Sequence, residues 1–197
     1  MKYKLHNAVQ LPTSLTLSLK AMKLNKTTYI LSLIILVTGF YSCSNIPEGA
    51  VAVKSFDKEK YLGKWYEIAR LDFKYEKDLD NTTANYSVNN DQTIKVVNRG
   101  FNTKTGKWKE VMGKAKLVGE ENVAMLKVSF FGPFYAGYNV IALDEEYKYA
   151  LVVGRNLNYL WILSRETTIP EEIKLDYLKI AENIGYKTAD LIWVNHD

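Results

Sequence analysis

The 197-residue chain contains one cysteine, Cys43, and two histidines, His6 and His196. That inventory limits its chemistry. A Ser-His-Asp or Cys-His nucleophile needs an imidazole beside the attacking atom, and ordinary zinc and haem sites draw on His or Cys ligands. Both histidines stand near the ends of the chain, and the cysteine stands early in it, so the central sequence offers neither. Carboxylates remain. Most fall in turn-like segments, as at Glu120-Glu121 and Glu145-Glu146, where solvation is the ordinary explanation of charge. We therefore expect no catalytic residues, no metal and no cofactor, and read the chain as a binding protein rather than an enzyme.

The surroundings of Cys43 point to a different use for its thiol. Lys23 and Lys26 precede a 12-residue apolar run, Tyr29 to Phe40, and Tyr41-Ser42-Cys43 follows. This is the layout of a secretory signal peptide, since the run is well short of the ~20 residues that span a bilayer. Residues 1–42 are read as an upstream segment plus signal peptide, with Met22 as the expected start. The chain has 26 basic and 22 acidic residues, but its first 42 positions hold five lysines and no acid. The remainder has 21 basic against 22 acidic residues, a net charge of −1. Nucleic acid is excluded as a partner, because counterion release needs many clustered cations.

The 155 residues from Cys43 onward are a common size for one domain. Residues 43–55 contain Pro47 and Gly49 and no sustained period, which reads as a tether. From Phe56 the chain is a series of runs rich in Tyr, Val, Ile, Phe and Trp. Turn signals such as Asn89-Asn-Asp91 and Gly132-Pro133 break it at short intervals. The runs predict strands over 62–73, 82–88, 93–101, 107–118, 123–131, 135–143, 149–154 and 159–165. Connections this short cannot make parallel crossovers. An antiparallel meander follows, and its eight strands can close into an up-and-down barrel that leaves no edge exposed. Over 170–185, Ile173, Tyr177, Ile180, Ala181 and Ile184 recur at helical spacing. This predicts one amphipathic helix outside the barrel, capped by Thr168 and ended by Gly185, then a short strand over 191–194.

Three segments carry a resemblance: Gly63-Lys-Trp65 opening the first strand, Asp144 after the sixth, and Arg165 ending the eighth. Together with the following helix, they resemble the lipocalin family, within it the bacterial outer-membrane lipoprotein lipocalins related to apolipoprotein D. Ser42-Cys43 resembles the lipobox of such lipoproteins, with Phe40 where Leu is usual. The resemblance implies that Cys43 carries a lipid and tethers residues 56–197, the lipocalin domain, to the outer membrane. It implies a structural role for Gly63, Trp65, Asp144 and Arg165, with Trp65 plugging the closed end under the Arg165 guanidinium.

Alternation from Trp65, with register taken from the resemblance, points Glu67 and Ala69 inward. The expected ligand-binding residues are Glu67, Ala84, Tyr86, Val96, Asn98, Val111, Val128, Phe130, Tyr138, Val140, Ala142, Tyr159 and Trp161. Small inward residues, namely Ala84, Gly113, Ala115, Ala142 and Ala150, are expected to keep a cavity open; a filled barrel is the alternative. An inward Glu67 is costly unless paired, hydrated or protonated, and it reads either as structural or as a ligand contact. Phe131, Phe134 and Tyr135 at the mouth either touch lipid or pack on one another. The implied ligand is a fatty acid or lysophospholipid entering acyl chain first, its head group near Tyr138 and Tyr159 at the rim. A lipid-modifying enzyme within the same barrel is the other reading, and a homodimer is left open.

Overall fold

The computed structural model describes residues 45–197. Cys43 and the segment read as a signal peptide lie outside them. Eight strands form the barrel: β1 (Gly63–Leu71), β2 (Leu79–Val88), β3 (Ile94–Asn102), β4 (Lys107–Leu117), β5 (Met125–Phe131), β6 (Phe134–Leu143), β7 (Tyr149–Val153) and β8 (Leu160–Ser164). Each pairs antiparallel with its neighbours, and β1 closes the barrel by pairing with both β8 and β2. A ninth strand, β9 (Leu191–Trp193), pairs with β1 beyond the stretch that β2 uses.

The predicted strands are present with shifted ends. β1 stops at Leu71 and β2 starts at Leu79, so residues 72–78 form a longer loop than a hairpin. A short helix, α1 (Lys58–Tyr61), was not expected. Asp57 caps it, its Oδ1 accepting from the Glu59 amide at 2.9 Å. The outer helix α2 (Glu171–Ile184) ends at Gly185, whose φ of 103° suits a left-handed cap. Thr168 does not cap it. Pro170 occupies that position, and the Thr168 carbonyl accepts from Ser164 Oγ instead.

Burial divides into two layers on either side of the barrel wall. Trp65, Tyr86, Ile94, Val96, Leu126, Val140, Val152 and Leu163 pack inside. Ile68, Ala69, Leu151, Val153, Leu160, Ile162, Tyr177 and Ala181 pack between the wall and α2. β7 and β8 are thus covered on both faces, which is why they lack the apolar–polar alternation of a half-exposed strand.

Register shifts occur in β1, β2, β5 and β6, and those in β1 and β6 change which of the expected residues face inward. A register shift in β1 between Glu67 and Ala69 places Ala69 opposite Ile162 and Arg70 opposite Trp161. Ala69 therefore faces α2, and Arg70 takes the inward place expected for it. A second shift in β6 sets Ala142 opposite Leu151 and Leu143 opposite Ala150. Ala142 belongs to the outer layer, and Leu143 points inside. Each shift inserts one residue, and one residue exchanges the faces of everything after it.

Of the segment read as a tether, the described residues 45–55 are docked along the barrel. Val53 donates to the Val140 carbonyl at 2.9 Å and accepts from the Ala124 amide at 2.9 Å. Nearer its start, the Asn45 carbonyl accepts from Asn139 Nδ2 at 2.8 Å.

Candidate functional site

The closed end is built by the residues expected there. The Arg165 guanidinium lies 3.9 Å from the centroid of the Trp65 ring. It donates to the carbonyls of Lys60, Lys64 and Tyr147 at 2.8, 2.9 and 3.1 Å, tying together α1, β1 and the β6–β7 turn. Gly63, at φ +92°, leaves room for that side chain: a Cβ there would lie 3.3 Å from Arg165 Nη1. Asp144 braces the same turn, its Oδ1 accepting from the amides of Lys148 and Tyr149 at 2.6 and 2.5 Å. None of these four residues lines the cavity above them.

Above the floor lies a cavity of about 720 Å³. Glu67, Ala84, Tyr86, Val96, Asn98, Val111, Val128, Phe130, Tyr138, Tyr159 and Trp161 line it. Val140 and Ala142 do not. Val140 is fully buried in the interior core outside the lining, and Ala142 faces outward because of the β6 shift. Of the small residues expected to hold the cavity open, Ala84 and Ala115 line it. Ala150 is packed in the interior core, and the space beside Gly113 is taken by Phe130.

Tyr138 lies deep in the barrel rather than at the rim. Its hydroxyl is 2.7 Å from that of Tyr61 and 2.9 Å from that of Tyr86. Two bonds among three phenols use two protons, so one O–H is left to donate into the cavity they line. Burial raises the pKa of all three, which keeps them neutral.

The polar wall was only partly foreseen. Arg70, 1% exposed, donates from Nη1 to Glu67 Oε1 at 2.7 Å. Its Nη2 donates to the carbonyls of Glu76 and Leu79 at 2.8 and 2.9 Å. Thr82 Oγ1 donates to the same Glu67 oxygen at 3.1 Å. Glu67 is thus paired, as an inward carboxylate requires. Facing the cavity beside it is Glu76, from the β1–β2 loop, whose Oε2 accepts from Trp161 Nε1 at 3.1 Å. Burial raises the pKa of Glu67, against the opposing pull of Arg70. Burial, and then the neighbouring Glu67 charge, raises that of Glu76 well above the ordinary carboxyl value. The pair holds a proton more tightly than either acid would in water.

Arg70 escaped a sequence reading because the β1 shift is invisible to alternation. Glu76 escaped because a loop acid is ordinarily solvated. Its one signal is the aromatic company of Phe73 and Tyr75, rare in an exposed loop. Phe73 folds back over the mouth, edge-on to Trp161 and Tyr159 at centroid distances of 5.7 and 5.8 Å. Phe131 and Phe134, 62% and 79% exposed, lie at the same opening, Phe131 with its ring 5.9 Å from that of Tyr75. No group of His, Cys, Asp and Glu suited to a metal occurs among the described residues.

Comparison with known proteins agrees with this geometry. Residues 56–196 match the family model of a lipocalin-like domain. The chain is 52% identical to the outer membrane lipoprotein Blc of Citrobacter freundii over 148 residues, covering 75% of this chain and 84% of that protein. It is 37% identical to apolipoprotein D of Rattus norvegicus over 134 residues, 64% of this chain and 69% of that protein. Among solved structures, insecticyanin from the tobacco hornworm Manduca sexta superposes with a TM-score of 0.62 at 18% identity. That match covers 78% of this chain and 88% of the insecticyanin chain.

Proposed function

The chain belongs to the lipocalin family, and from that premise we propose that it is a lipid-anchored carrier of single amphiphiles, such as fatty acids or lysophospholipids, in the bacterial cell envelope. The observation that carries this reading is the cavity. At about 720 Å³ it is the size of a small-molecule site, apolar over most of its lining, with a few converging polar groups. The groups that touch it suit recognition better than turnover. The carboxyls are paired or hydrogen-bonded and the phenols neutral, which serves binding and orientation.

Anchoring at the outer membrane rests on the Ser42-Cys43 junction and on relatives whose names describe outer membrane lipoproteins. The docked N-terminal segment adds a consequence. Asn139 Nδ2, which holds the Asn45 carbonyl, also reaches the carbonyls of Val153 and Gly154, at the β7–β8 turn of the open end. Cys43 is two residues from Asn45, a reach of about 7 Å at full extension. A lipid on Cys43 therefore holds the mouth, not the floor, toward the bilayer. Phe131 and Phe134 then meet the membrane surface, and an amphiphile enters acyl chain first. Its head group rests near Tyr159 and the loop over the mouth, while its chain approaches the three phenols.

Native mass spectrometry of protein purified from its own membrane, with extraction of bound lipid, tests the proposal. One amphiphile per barrel is expected. A barrel that emerges empty and takes up no fatty acid in titration overturns the carrier reading.

A further inference from the structure

The charged residues that line the cavity are Glu67, Glu76 and Glu110 with Arg99, Lys109 and Arg155. Where β1 meets the β1–β2 loop, the carboxyls of Glu67 and Glu76 have one guanidinium behind them, and Arg70 spends its terminal donors on Glu67 and on the carbonyls of Glu76 and Leu79. The Glu76 carboxyl accepts from one neutral donor, the Trp161 indole, and meets the Glu67 carboxyl on its other side. A carboxylate has room for about four hydrogen bonds. Among the described residues no Lys or Arg side chain forms an ion pair with Glu76.

Around it stand three rings. Tyr159 stacks parallel to Trp161 with centroids 6.2 Å apart, and Phe73 closes on both at near right angles. All three line the cavity with Glu76. Aromatic faces carry partial negative charge, and rings gathered beside a carboxylate are the surroundings in which an organic cation binds well.

We infer that Glu76, with Phe73, Tyr159 and Trp161, forms a subsite for an ammonium group, so that the preferred ligands are amphiphiles bearing a positively charged nitrogen. This rests on the carrier reading and narrows its ligand class. In the empty barrel the second negative charge is neutralised by a proton that Glu76 shares with Glu67. A bound ammonium replaces that proton, which leaves to solvent. The other charged or titratable groups facing Glu76 are Glu67 and Arg70 on β1 and Tyr86 on β2. His196 acts at one remove, through the Glu67 carbonyl it contacts at 2.8 Å.

The test compares dodecyltrimethylammonium, whose charge does not titrate, with dodecanol, by calorimetric titration of the whole folded chain. Near pH 8 the cation should bind about tenfold tighter. Its advantage should shrink as pH falls and Glu76 regains its proton. Repeating the titration in buffers of different ionisation enthalpy should show a proton released with the cation and none with the alcohol. Glu76→Gln should bring the ratio of the two affinities toward one. Equal affinities at every pH, or an advantage that survives Glu76→Gln, overturns the inference. Absence of binding by either probe and by a fatty acid overturns the carrier reading itself, and the subsite with it.

Discussion

The Phe130 ring lies so close to Gly113 that a Cβ there would sit 2.7 Å from Phe130 Cδ1. A residue expected to leave the cavity open thus serves as the seat of an aromatic wall. Gly113→Ala should force the ring from its place and destabilise the barrel by about 1 to 3 kcal/mol, the usual cost of overpacking. Chemical denaturation reads this directly. A change within error would mean that the ring moves freely.

The floor gives a second expectation. Trp65→Ala should cost about 3 to 5 kcal/mol as a large-to-small core change. Arg165→Lys should cost less but remain measurable, because lysine loses the planar stack on Trp65 and cannot serve three carbonyls from one rigid fork. If both variants unfold at the wild-type midpoint, the closed end contributes nothing to stability.

The β6 register shift makes two alanines respond in opposite ways. Ala84→Trp places an indole in the cavity, and should abolish uptake of a fluorescent fatty acid while the barrel stays folded. Ala142→Trp drives its indole into the layer under α2, and should destabilise the fold by about 1 to 3 kcal/mol. Loss of binding in Ala142→Trp with full stability would contradict the register.

Stability should depend on pH through Glu76. Its carboxyl binds a proton more tightly in the folded chain than in the unfolded one, so the folded state holds more protons between the ordinary value of 4.5 and the raised one. The contribution of this group to stability is therefore complete below the ordinary value and is lost as pH rises through that window. Glu76→Gln removes the dependence, and should be more stable than wild type above the window, the difference shrinking below it. Thermal melts across pH decide this, and parallel curves for the two proteins would count against a raised pKa.

The mouth should matter for delivery. Phe131→Ser with Phe134→Ser should slow transfer of a fluorescent lipid from vesicles by about tenfold while sparing ligand already dissolved in water, since only the membrane-contact step loses buried apolar area. Equal slowing of both routes would place the rings in the pocket instead.

What the sequence determined by itself follows from local rules. Period-two runs between turn residues required an antiparallel meander able to close into a barrel, and period 3.6 over 170–185 required one outer helix. The family resemblance carried by Gly63, Trp65, Asp144 and Arg165 marked the closed end. Charge and the scarcity of His and Cys removed whole classes of chemistry. The tertiary structure decided which side chains share the cavity wall. One inserted residue in β1 turned Arg70 inward beside Glu67, and one in β6 turned Ala142 outward. Such an insertion is set by pairing with a neighbouring strand, far away in sequence, so no local pattern records it. Glu76 and the docking of residues 45–56 were hidden for the same reason. A loop acid becomes half-buried, and an irregular segment becomes fixed, only through partners that folding brings to them.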